Sequence, residues 1–225
     1  MTGGYDGTQA EYLQVPFADI NLLEVSEEDY KALGGDIVGV WGAIEWAKYR
    51  GAEKIIAIDC VPERLIQARE IGAEIIDYQQ DKDVVDKMKE VANVALECVG
   101  FRYATRSTKH QVEKALLAET DSIEALDDAV KCVKGGRLSL IGDFLGTANH
   151  FPIGAIMEKS ITIRGSQVLV QKYWNHLLPI IRSGKVNLNI FTHRMKLTEA
   201  PKAYKIFDQK ENGMIKVFLS VDDLQ

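Results

Sequence analysis

The sequence predicts an α/β fold, a doubly wound parallel sheet with a smaller β-rich portion beside it. Three observations point to it. From Asp36 to about Gln167, apolar β-branched runs alternate with segments of helical period, the rhythm of parallel strands joined by crossover helices. The runs are continuously apolar, as in strands covered on both faces. The second of them, Lys54-Ile-Ile-Ala-Ile-Asp59, ends in an acid, where such sheets hold an adenosine ribose.

Taken in order, residues 1–25 hold a strand-like Tyr12-Leu-Gln-Val15 among glycines suited to turns. A β segment this short must pack on other elements. Strands are expected at 36–41, 54–59, 74–77, 94–99, 137–142 and 161–165. Between them, Ile44 to Arg50 begins a helix, and Pro62 opens another that Gly72 closes. Val84, Val85, Met88 and Val91 form an apolar stripe. Asp121 with Glu124 resembles a capping pair for a helix carrying Leu126, Ala129 and Val133 and stopping at Gly135-Gly136. The basic stretch Phe101 to Thr120 breaks the rhythm and reads as a solvated insertion, with a lid or anion patch as the functional alternative. Beyond Gln167, Tyr173 to Ser183 and Thr198 to Phe207 read as helices, the latter with Thr198 as N-cap and Pro201 in its first turn. Met214 to Ser220 closes the chain as a strand.

Composition excludes several classes. Of 225 residues, 46% are hydrophobic and 27% charged, ordinary for a globular protein with a real core. A net charge of −6 gives no general drive toward nucleic acid or anionic membranes. No apolar run approaches the ~20 residues that span a bilayer, and the first residues lack a signal-peptide pattern. Cytoplasmic residence is the expectation. Cys60, Cys98 and Cys132 match no zinc spacing, and the four histidines are scattered. Cys98, inside Val94-Ala-Leu-Glu-Cys-Val99, is expected to be a buried structural thiol.

The turn after the first strand is the unusual point. Asp36-Ile-Val-Gly-Val-Trp-Gly-Ala43 reads as a strand running into a turn with one glycine in place, Gly42. Eleven residues, Ala43 to Glu53, then carry the chain to the next strand, at the lower edge of what a parallel crossover needs. A strand of ~20 Å is answered by a helix of only ~12 Å and an extended tail of at most ~10 Å. Closure leaves no slack to wrap a pyrophosphate.

These segments resemble the zinc-type alcohol dehydrogenases of the medium-chain dehydrogenase/reductase family, most nearly the formaldehyde-dehydrogenase-like branch. Gly4 to Asp19 resembles the end of that family's GroES-like catalytic domain, and Val61-Pro-Glu-Arg-Leu65 with Ala68-Arg-Glu-Ile-Gly-Ala73 its second βα unit. Phe151 to Gly154, Ile163 to Gln167, Ile181 to Gly184, Thr192-His193, Ala200 to Tyr204 and Ile215 to Val217 follow its C-terminal half in order. The resemblance implies a Rossmann-like domain at 31–167 with a truncated phosphate loop. It also implies a remnant of the GroES-like domain at 1–30 and 168–225. It places Gly42, Asp59, Arg64, Val99, Gly100 and Lys216 along a cleft for NAD, with Lys216 near the pyrophosphate. It further implies a homodimer that pairs sheet edges near Ile161-Thr-Ile-Arg-Gly165.

Two departures qualify it. The family's zinc ligands have no counterpart here; Glu11, Glu97 and His193 are isolated and read as ordinary surface or core residues, so zinc is not expected to be held and no catalytic residue is assigned. About seven residues of the G-x-G-x-x-G continuation are also missing. Losing two backbone donors to a phosphate costs ~3–6 kcal/mol, or roughly two to four decades of affinity. The expectation is a shortened NAD-linked alcohol or formaldehyde dehydrogenase with impaired or no catalysis. The alternative is a non-catalytic interaction or weak nucleotide-binding protein. A methyltransferase, which also uses an acid after the second strand, fits the C-terminal motifs poorly.

Overall fold

The computed structural model describes residues 40–89, 91–100, 122–167, 169–187 and 191–221. The expected strand at Tyr12–Val15, the first four residues of the expected strand 36–41, the insertion from Phe101 and Asp121 lie outside the described residues. The chain divides into two compact units, Met1–Ile75 with Val170–Gln225, and Ile76–Leu169.

In the first unit, α1 spans Val40–Tyr49, β1 Ile56–Asp59 and α2 Pro62–Glu70, while β2 (Glu74–Asp77) begins there and crosses into the second. Strand β1 pairs with β2. Pro62 stands at the start of α2, where its missing N–H costs nothing. Leu65 and Ala68 fall on the buried face of that helix. Ala68 joins Ile44, Ala57 and Ala73 in one apolar cluster, with Ile55, Ile71 and Ile75 packed against it. The chain returns to this unit with α6 (Val170–Arg182), β6 (His193–Lys196), a 3₁₀ turn (Leu197–Glu199), α7 (Ala200–Gln209) and β7 (Val217–Ser220). Strands β6 and β7 run parallel, His193 opposite Val217 and Lys196 opposite Ser220. Met195, Ala203 and Met214 form the core beneath them.

The second unit holds α3 (Val84–Met88), β3 (Ala92–Glu97), α4 (Glu124–Cys132), β4 (Val133–Leu140), α5 (Ile153–Glu158) and β5 (Thr162–Gly165). The order is β3-β4-β5, parallel throughout, with Leu96 opposite Ser139 and Leu140 opposite Gly165. Its core is Leu126, Val130, Val133, Leu138 and Ile161, with Val130 and Val133 fully buried. Full burial of such a side chain contributes about 1.5–3 kcal/mol.

Three expectations are corrected. Val40 and Trp41 begin α1 and do not end a strand. Ten helical residues cover ~15 Å at ~1.5 Å each, whereas a helix started at Ile44 would be too short to propagate well. Gly135-Gly136 does not stop α4; the helix ends at Cys132 and both glycines lie inside β4. A Cβ on Gly136 would stand 2.2 Å from the Asn93 carbonyl oxygen, beside the bulge between Ala92 and Val94, so the pair serves a close strand approach. Thr198 lies within the 3₁₀ turn; Glu199 instead accepts the Lys196 N–H at 3.4 Å and precedes α7. Helix α4 opens at Glu124 after Ile123, and the Ser122 hydroxyl stands 3.5 Å from the Glu124 nitrogen, while the capping role expected of Asp121 lies outside the described residues.

Candidate functional site

Asp59 ends β1 and engages both carboxylate oxygens. Its Oδ1 accepts the N–H groups of Cys60 at 2.7 Å and Val61 at 3.0 Å, fixing the turn that feeds α2. Its Oδ2 faces the Arg64 guanidinium at 3.7 Å, with the aspartate side chain 24% exposed and the arginine 44%. The sequence left two roles for this acid, a ribose acceptor or a cap for the next helix. The structure gives it the turn through one oxygen, while the other remains at the surface beside a cation.

Gly42 is the third residue of α1, inside a helix and not in a turn. Helix α1 is tied elsewhere at this point. The Trp41 indole N–H donates to the Asn187 carbonyl at 2.9 Å. The Glu45 carboxylate accepts the Asn187 N–H at 3.2 Å and pairs with Lys48 at 3.3 Å. Trp46 packs on Ile181 and Val186.

Lys216 immediately precedes β7, and its backbone is clamped by Thr192. The Lys216 carbonyl accepts the Thr192 N–H at 3.0 Å, the His193 N–H at 3.2 Å and the Thr192 hydroxyl at 3.1 Å. The same hydroxyl oxygen accepts the N–H groups of Ile215 at 3.0 Å and Lys216 at 3.3 Å.

In the second unit, Val99 and Gly100 form the turn at the carboxyl end of β3. Both of their N–H groups donate to Oε1 of Glu97 at 2.8 Å. Glu97 is 3% exposed, and its Oε2 has no hydrogen-bond partner among the described residues. The Glu97 carbonyl accepts the N–H groups of Ile141 at 2.8 Å and Gly142 at 2.9 Å, at the carboxyl end of β4. Gly100 has φ of +71°, and a Cβ there would stand 2.5 Å from the Asp143 carbonyl oxygen. A Cβ on Gly142 would stand 2.2 Å from the Gly100 nitrogen and 2.6 Å from Glu97 Oε2. Both positions therefore require glycine.

Of the six residues singled out by sequence, Asp59 and Arg64 face each other, and Val99 and Gly100 share one turn. Gly42 and Lys216 stand on other elements of the first unit. Glu97 and Gly142 were missed. The signal available was an acid three residues before a glycine at the end of an apolar run.

Cys98 is half-buried, and burial followed by the neighbouring Glu97 charge pushes its thiol up to about 12. Burial likewise raises the Cys132 thiol. Among the described residues, no three His, Cys, Asp or Glu side chains stand together as a metal site. Among them also, no helix is long and apolar enough to cross a membrane.

Residues 38–119 match the family described as zinc-binding dehydrogenase. A zinc-type alcohol dehydrogenase-like protein of Schizosaccharomyces pombe is 34% identical over 258 aligned positions, covering 99% of this chain and 61% of its own length. That alignment is longer than the 225 residues here, so the relative carries internal residues without a counterpart in this chain. An uncharacterized zinc-type alcohol dehydrogenase-like protein of Bacillus subtilis is 30% identical, over 97% of this chain and 68% of its length. Among solved structures, the alcohol dehydrogenase TADH from Thermus sp. ATN1 superposes with a TM-score of 0.77 at 29% identity, over 96% of this chain and 66% of that one. The chain thus spans about two thirds of the relatives it matches.

Proposed function

The chain belongs to the zinc-type alcohol dehydrogenase-like family, and from that premise we propose that it is a shortened, NAD-linked member with a weakened nucleotide grip. Catalysis is impaired or lost, and the protein acts as a homodimer that binds the dinucleotide weakly. The observation that carries this reading is the start of α1: Gly42 lies within the helix, and the segment holds none of the further glycines that bring backbone N–H groups onto a pyrophosphate.

Asp59 supports the nucleotide part. Its Oδ2 stands at the carboxyl end of β1, where a ribose hydroxyl can donate to it. A carboxylate there repels a 2′-phosphate, which favours NAD over NADP. Arg64 screens that charge only modestly, since the pair is exposed. Within the second unit, Val99 and Gly100 form a preorganised turn at the carboxyl end of β3, where such sheets take ligands. Lys216 is held at the backbone by Thr192 and supplies a cation for phosphate.

Zinc, where the family uses it, supplies a Lewis acid that polarises a carbonyl or stabilises an alkoxide. The donors among the described residues do not assemble such a centre. The dimer part rests on β5, the last strand in the order β3-β4-β5, whose outer edge suits pairing with a second copy.

A spectrophotometric assay with NAD(H), NADP(H), short alcohols and aldehydes tests the catalytic part; no turnover above background is expected. Light scattering at micromolar concentration tests the dimer, and a monomer only would remove that part.

A further inference from the structure

We propose that Glu97 is a positioning residue for the dinucleotide, its buried carboxylate holding the Val99–Gly100 turn in a ligand-ready shape. This rests on the nucleotide-binding reading above.

Three features of the second unit carry it. The first is place. In open parallel α/β sheets, ligands bind outside the carboxyl ends of the strands. Glu97 stands at that end of β3 and joins it to the same end of β4: its carbonyl takes the Ile141 and Gly142 N–H groups, while its side chain takes those of Val99 and Gly100.

The second is geometry. One carboxylate oxygen accepts two successive N–H groups at 2.8 Å each, which fixes both against one side chain. Gly100 holds φ of +71°, and Gly142 packs where any Cβ would meet both the Gly100 nitrogen and Glu97 Oε2. Glu97, Gly100 and Gly142 thus form one joint. Val99, 45% exposed, projects from it.

The third is cost. Oε2 is buried with no hydrogen-bond partner among the described residues. A buried acceptor left open is unfavourable, and burying a charge is more so. An apolar side chain here would spare that cost but could not fix the turn. A residue retained at such expense at a strand's carboxyl end fits a site-shaping role better than a contribution to stability.

The test is a ¹⁵N-resolved NMR titration of the full chain with NADH, on wild type, E97Q, E97A and E97D. The Gln amide oxygen can still accept both N–H groups; Asp, shorter by one methylene, holds its oxygen farther back from the turn, and Ala accepts neither. The Val99 and Gly100 amide signals are expected to move with NADH in wild type and E97Q. The titration slope should fall roughly tenfold in E97A, as expected when a turn worth about one strong hydrogen bond is released, and in the same direction in E97D should E97A not fold. Unchanged slopes in E97A or E97D would overturn the proposal. So would a loss in E97Q equal to that in E97A, because charge and not positioning would then matter. Shifts elsewhere that spare Val99 and Gly100 would also remove it while leaving the nucleotide reading intact. Wild type giving no shifts at all would sink both.

Discussion

Glu45 and Asn187 lie 142 positions apart, yet the glutamate carboxylate accepts the Asn187 N–H at 3.2 Å from within α1. Trp41, one turn earlier, donates to the Asn187 carbonyl at 2.9 Å. The helix that would face a pyrophosphate in a complete dinucleotide-binding unit is thereby anchored to the turn after α6. Glu45 is 7% exposed, so removing its carboxylate leaves the Asn187 N–H without that acceptor. Glu45→Ala should cost about 1–3 kcal/mol, read as a lower urea midpoint with an unchanged slope.

Lys159 caps the end of α4. Its ammonium donates to the carbonyls of Lys131 at 2.8 Å and of Val130 and Val133 at 3.3 Å. A cation at a helix C-terminus stabilises it by up to ~2 kcal/mol when partly buried. Lys159→Met should lower stability by about 1–2 kcal/mol, and Lys159→Arg by less. Thermal denaturation of the two variants would check the order; equal losses would show that the charge contributes nothing.

The Thr192 hydroxyl links three backbone groups around Lys216. Thr192→Val keeps the shape and removes the oxygen. Hydrogen exchange at the Ile215 and Lys216 amides should quicken by one to two decades, matching a loss of about 1–3 kcal/mol. Unchanged protection would mean that strand pairing alone holds this segment.

Cys98 gives a pH prediction. Its folded thiol is raised to about 12 from 9.0, so the folded state binds the proton more tightly than the unfolded one. The stability this contributes is fully present below about pH 9 and is lost as pH rises through about 12. At pH 8 the folded thiolate is only ~10⁻⁴ of the total, so alkylation of Cys98 should be slow and accelerate with pH. Cys132, raised by burial in the same direction, should also resist. Mass spectrometry after brief iodoacetamide treatment should find Cys60 modified first; early labelling of Cys98 would contradict this.

Much of the fold was legible because local chemistry and long-range packing agree. The strand at 74–77 and the helix opened by Pro62 stand where the residues placed them. Disagreements arise where a partner distant in sequence decides. Gly135-Gly136 looks like a helix stop, but Asn93 and Lys159 require small residues there, within a strand. Val40 and Trp41 suit a strand by type; they open α1, where the Trp41 indole bonds to the distant Asn187 carbonyl. Helix α5 and strand β6, with six and four residues, carry too short a pattern to be read. At the candidate site, the end of the strand at Asp59 was legible from the apolar run before it. Glu97 was not, because its partner Gly142 becomes a neighbour only when β3 pairs with β4.

The proposed weakening of the grip on the dinucleotide is read from the equilibrium affinity for NADH, by fluorescence or calorimetric titration. Loss of two backbone donors to phosphate takes a micromolar site down by roughly two to four decades. The expected Kd is about a millimolar or weaker, with NADPH weaker still because of Asp59. Saturable micromolar binding of NADH would contradict it.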